Sequence, residues 1–174
     1  MKKAIVTILI TLAVLIAGFF IYIISGAYDI SQLTPHNALT KSIIGLTTHS
    51  SINKRMKENV VPGNMKDTAV IVLGFKNYNE MCSGCHGIPG TKPEEMPQGW
   101  YPKPPMLFQN AKEDEAQEFF WITKNGLKMT SMPAFNSMLD DEKIWAVTAF
   151  VTGKLPKMTS EEYQNWLKIY PQLK

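Results

Sequence analysis

The sequence predicts an all-α protein, a single apolar helix followed by a small helical domain. Three observations predict it: an uncharged run from Ala4 to Ile24, apolar residues recurring at helical spacing in the later segments, and proline and glycine breakers between those segments. The averages of 45% apolar residues and a mean hydropathy of -0.10 hide this division. Four Trp, six Tyr and eight Phe exclude a disordered chain, and the lack of a second long apolar run excludes a multi-span membrane protein. Cys82 and Cys85, the only cysteines, are too close in sequence to staple a fold.

Residues 1–27 form the first element. At 1.5 Å per residue, Ala4 to Ile24 gives about 31 Å of helix, close to the hydrocarbon thickness of a bilayer. Lys2 and Lys3 precede it, so the positive-inside tendency keeps the N-terminus in the cytoplasm and exports the rest. A cleaved signal peptide, with Ser25-Gly26-Ala27 as the cleavage site, is the rival reading. The run is longer than the usual signal core, which favours an uncleaved anchor. Without Lys2 and Lys3, 16 basic residues face 15 acidic ones, a net charge near +1. Nothing in that balance resembles a nucleic-acid-binding stripe, so no nucleic-acid partner is expected.

Residues 28–66 read as a connecting region with short helices that either tethers the next domain or packs on it. Asn37 or Thr34 is placed to cap a stretch with Leu39, Ile43 and Leu46 at helical spacing, and a second stretch runs from Ser50 to Asn59 before the breaker Val61-Pro62-Gly63-Asn64. Residues 67–174 form the main domain. Asp67 is a candidate N-cap for a helix with Val70, Gly74, Tyr78 and Met81 on one stripe. A proline-rich stretch from Gly87 to Asn110 follows. A second helix spans about Lys112 to Asn125 and faces inward with Ala116, Phe119, Phe120 and Thr123; Gly126 ends it. A third runs from Asp140 to Gly153, burying Ile144, Val147, Phe150 and Val151. Thr159-Ser160-Glu161-Glu162 opens a C-terminal helix with a capping-box pattern.

Cys82-Ser83-Gly84-Cys85-His86 is the attachment pattern for a c-type haem. Two thiols at this spacing add to the two vinyl groups of one haem, and His86 then meets the iron on one face. A thioredoxin-like pair wants a strand before it, whereas this motif follows a helix. A zinc site wants more ligands, and His36 and His49 lie far upstream. For the sixth iron ligand Met132 is preferred, because Pro133 stiffens the backbone beside it; Met129 is the runner-up. A thioether opposite histidine raises the potential and closes the iron to substrates, which suits an electron carrier.

From Asp67 to Gly153, about half the chain, the sequence resembles a class I mono-haem cytochrome c domain of the membrane-anchored bacterial type. The resemblance rests on Gly74 and Tyr78 ahead of Cys82-Ser83-Gly84-Cys85-His86, on the proline-rich middle, on Gly126 to Phe135, and on Trp145 to Phe150. It implies an all-α fold around one covalently attached haem c, with Gly74 at a helix crossing against Val147 and Phe150. It also implies that the loop with Trp100 and Tyr101 covers the propionate edge; these rings either donate to the propionates or simply pack the loop. The Pro89 carbonyl is expected to orient His86, and Arg55 is a weaker propionate candidate than a solvated helix face.

Lys92, Lys103, Lys124 and Lys128 either steer docking onto an acidic partner or only solubilise the domain. The expected function is single-electron transfer without turnover of a small-molecule substrate. It would run between a quinol-oxidising complex and a terminal oxidase or reductase, on the periplasmic face of a bacterial inner membrane. Two rivals stand beside it: a cytochrome subunit fixed in a larger oxidoreductase, and a haem sensor or peroxidase-like protein.

Overall fold

The computed structural model describes residues 1–171; Gln172 to Lys174, the end of the expected main domain, lie outside the described residues. Among the described residues every regular element is helical. Two compact units separate, Met1–Pro35 and the chain from His36 onward.

The first unit is dominated by α1, Lys2–Ile24. Its 23 residues rise about 35 Å, and none of its side chains is buried. With a mean hydropathy of 2.9 it is long and apolar enough to cross a bilayer, a description that signal sequences share. Beyond it, the Asp29 carboxylate accepts from the Ser31 amide at 2.8 Å and the Thr34 hydroxyl at 2.6 Å, closing a local turn.

The second unit begins with α2, Ala38–Met56, one continuous helix where two shorter stretches were expected. Asn37 caps it by accepting from the Thr40 amide at 2.9 Å. Only Ile52 on this helix is buried, and Leu39, Ile43 and Leu46 point to solvent. α2 packs on a later helix, Ala116–Asn125, and just beyond the end of α2 the Gln117 amide donates to the Asn59 carbonyl at 2.7 Å.

The core is the crossing of α3, Thr68–Met81, with α7, Asp141–Ala149. Gly74 makes that approach possible, since a Cβ there would stand 1.9 Å from the Ala146 carbonyl oxygen and 2.8 Å from Phe150 Cβ. The nearest neighbours across the crossing are thus Ala146 and Phe150, and Val147 lies in the same buried cluster as Phe150. Phe75 is fully buried, its ring edge-on to Phe150, Tyr163 and Trp166. Asp140 caps α7 by accepting from the Lys143 amide at 2.9 Å. The expected stop at Gly153 is not one. A π-helical turn, Phe150–Lys154, and a tight turn, Leu155–Lys157, continue the helical path, and Pro156 fits because it sits at the start of its turn.

The remaining elements are α4, Ser83–His86; α5, Leu107–Asn110; α6, Ala116–Asn125; and α8, Ser160–Ile169. The first turn of the expected 112–125 helix is a tight 3-10 turn, Glu113–Glu115. α8 is capped by Thr159, whose hydroxyl accepts from the Glu162 amide at 3.1 Å; Glu162 itself pairs with Lys154 at 2.6 Å. Tyr163, fully buried on α8, joins the core around Phe75. A second cluster, Phe120, Phe135, Leu139 and Ile144, joins α6 to α7, with Phe120 stacked on Trp145 at 4.0 Å between ring centroids.

Candidate cofactor site

The pattern from Cys82 to His86 is one helical turn added to the end of α3. The Cys82 amide donates to the Tyr78 carbonyl at 2.8 Å, and the Cys85 and His86 amides return to the Cys82 carbonyl at 3.1 and 2.9 Å. Positions three and four apart share a helix face, so Cys82, Cys85 and His86 present their side chains to one side. The turn is pinned from below. The buried Tyr78 hydroxyl donates to the Gly87 carbonyl at 2.6 Å, and burial holds that phenol protonated by pushing its pKa up.

His86 is oriented by a main-chain acceptor, the Pro105 carbonyl, 2.9 Å from Nδ1. Pro89, the acceptor expected from sequence, is not the partner; the loop before α5 brings Pro105 to the ring instead. A carbonyl can only accept, so Nδ1 carries the proton and Nε2 keeps its lone pair for a metal. Burial also lowers the imidazole pKa, against an opposing effect of the Pro105 carbonyl, which keeps the ring neutral. Cys82 is buried and its thiol is pushed up to about 12, first by burial and then by Cys85.

Met132 stands on the loop between α6 and α7, which main-chain bonds sew to the end of α6. Leu127 donates to the Met132 carbonyl at 3.2 Å, Phe135 to Thr123 at 3.1 Å, and Asn136 to Lys124 at 3.2 Å. The Met132 amide donates to Thr130 Oγ1 at 3.1 Å. Gly126, at φ +67°, permits this packing, because a Cβ there would lie 2.7 Å from the backbone of Pro133 and Ala134. Sequence reasoning took Gly126 as a helix stop only. Its second role depends on the fifteen-residue loop between α6 and α7 folding back, which no local pattern shows.

Cys82, Cys85, His86, Trp100 and Met132 line one cleft of about 420 Å³, inside the range of roughly 300 to 1,000 Å³ common for small-molecule sites. Phe119, Ile122, Leu127 and Phe135 supply apolar walls, and Lys103, Asn110, Glu115 and Glu118 add polar atoms. Met129 is outside that lining, 67% exposed at φ 61°. Tyr101 is outside it too; its ring meets His36 edge-on at 5.4 Å. Arg55 bonds Ser51 on its own helix, at 2.7 Å to the hydroxyl. Of the four lysines, Lys103 lines the cleft, while Lys124 is held by Asp141 at 2.7 Å. Among the described residues no group of three or more His, Cys, Asp and Glu side chains could hold a free metal ion.

The residues therefore fit a haem: two thiols one turn apart, an imidazole with its outer nitrogen available, a thioether on a stiff loop and apolar walls. Residues 70–151 match the family model described as cytochrome C oxidase, cbb3-type, subunit III. No curated protein and no solved structure matches the chain. The matched segment runs from α3 into the π-helical turn after α7 and includes both the Cys82 to His86 turn and the Met132 loop. The match supports a class I c-type cytochrome domain over this segment, a type of domain that binds haem.

Proposed function

We propose that this chain is a membrane-anchored mono-haem cytochrome that passes single electrons between protein partners on the periplasmic face of a bacterial inner membrane. The observation that carries the reading is the convergence of Cys82, Cys85, His86 and Met132 on one cleft. Cys82 and Cys85 would attach the porphyrin and His86 and Met132 would hold the iron, with the Pro105 carbonyl fixing the His86 ring. Haem c supplies, when bound, one iron that alternates between the ferric and ferrous states. The chain's own part would be to offer the His86 imidazole and the Met132 thioether to the iron and to exclude water with the apolar walls of Phe119, Ile122, Leu127 and Phe135. Trp100, which lines the cleft, would be a donor for a propionate, while Tyr101 packs against His36. α1 holds the domain at the membrane. Carbon monoxide added to the reduced protein tests the closed iron: little binding is expected, and rapid, complete binding would contradict the carrier reading.

The family description favours a second reading, in which the domain is a fixed subunit of a terminal oxidase. Purification in mild detergent separates the two. A shuttle comes alone, whereas a fixed subunit brings stoichiometric partners.

A further inference from the structure

We infer that the N-terminal half of α2 lies on the membrane surface, with Leu39, Ile43 and Leu46 in the headgroup boundary of the bilayer that α1 crosses; this rests on the anchored reading above. The three residues recur at i, i+4 and i+7, so they form one stripe. They are 71%, 56% and 70% exposed, although the same helix buries Ile52 further along against the rest of its unit. A helix with an apolar stripe on its free side and a packed opposite side has two partners, of which the described residues of its own unit supply one.

Three features identify the other as lipid. The first is the tether. Thirteen residues, Ser25 to Asn37, separate the end of α1 from the start of α2. Fully extended they reach about 45 Å, and the Asp29 turn shortens that. The second is the charge. In the seated half, Ala38 to Leu46, Lys41 is the only charged residue; Lys54, Arg55 and Lys57 follow at the far end of the helix, and no acidic residue lies between Ala38 and Lys57, whereas the chain beyond the anchor is nearly neutral. A basic helix with an apolar stripe is the pattern that binds an anionic lipid surface, each basic group adding attraction close to the headgroups. The third is the tether's own composition, since Ile30 and Leu33 are 90% and 85% exposed and extend the apolar character towards α1.

This placement would orient the cleft. His36, next to the α2 cap, meets Tyr101, and the adjoining Trp100, Pro104 and Pro105 line the cleft. A seated α2 therefore holds that wall of the site at a fixed attitude to the membrane and leaves the domain less free to tumble on its tether.

The test uses the full-length, haem-loaded chain in vesicles of phosphatidylethanolamine and phosphatidylglycerol. Nitroxide labels are placed singly at Ile43→Cys, Leu46→Cys and, as a control on exposed α8, Gln164→Cys. Collision of each label with oxygen, which concentrates in lipid, is compared with collision with a water-soluble nickel chelate. Labels at 43 and 46 are expected to shift towards oxygen and the label at 164 towards nickel, with the shift at 46 lost in the Ile43→Glu background. A water-like profile at 43 and 46 overturns the proposal, as does shielding from both reagents, which would place a protein partner or a second copy on the stripe. Carbonate washing and the intact mass report on α1 separately. Release from the vesicles, or a chain shortened near Ala27, overturns the anchored reading and this proposal with it. Retention at full mass with a water-like profile overturns this proposal alone.

Discussion

Where α3 meets α7, Gly74, Phe75, Tyr78, Val147 and Phe150 are almost completely removed from water, whereas around the cleft Trp100, Phe119 and Met132 keep part of their surface exposed. The crossing is an arrangement of side chains from two helices, closed by the absence of one Cβ. The cleft wall is an arrangement of loops, held in place by main-chain hydrogen bonds from Leu127, Phe135 and Asn136 and by the Pro105 carbonyl. The first should therefore govern whether the domain folds, and the second what it can hold. Substitutions in the crossing should cost stability and leave the iron's ligands alone, while those in the wall should alter the ligands at smaller cost.

The largest effect is expected at Phe75. Phe75→Ala removes a fully buried ring that touches three others and should cost about 3 to 5 kcal/mol in denaturant unfolding of the haem-loaded protein. The visible spectrum before the transition should be unchanged. Gly74→Ala comes next, at about 3 kcal/mol, because the new Cβ meets the Ala146 backbone rather than a movable side chain. If Gly74→Ala changes the spectrum as much as the stability, the separation of crossing from wall is wrong.

Gly126→Ala probes the wall. It combines a strained φ with contact against Pro133 and Ala134 and should cost about 2 kcal/mol. It should also weaken the absorption band of the iron-thioether bond, since the loop carrying Met132 must move. Thr159→Ala removes only a cap from α8 and should cost about 1 kcal/mol, with no spectral change.

Acid gives the smallest and most local effect. The Lys143 amide holds the Asp140 carboxyl below its ordinary value of 3.8, against an opposing effect of desolvation, and the Lys143 side chain adds to the lowering. A carboxyl lowered in the folded state stabilises fully above that ordinary value and loses its contribution as the pH falls through the lower folded one. The stability difference between wild type and Asp140→Asn should thus be constant near neutrality and shrink below pH 3.8. Denaturation midpoints measured across that range check it.

The helices of the crossing were legible because their stripes are local: Val70, Gly74, Tyr78 and Met81 recur within one segment, and so do Ile144, Val147 and Phe150. The caps at Asn37 and Thr159 were legible for the same reason. The Cys82 to His86 turn is a local pattern as well. What the sequence did not show depends on segments distant in the chain. Pro105 lies 19 residues from His86, and the Gly126 backbone meets the loop that returns from Met132. Gly153 read as a stop because glycine usually ends a helix, yet here the backbone stays helical and the path continues. The outward stripe of α2 was visible as a period, but a period does not say whether protein or lipid covers it.

The central claim is that Met132 faces the same iron as His86. Absorption spectra of the oxidised wild type and of Met132→Ala test it most directly. The wild type should show the weak far-red band of an iron-thioether bond, and Met132→Ala should lack it while keeping its covalently attached haem. Survival of the band in Met132→Ala, with its loss in Met129→Ala, would contradict the claim.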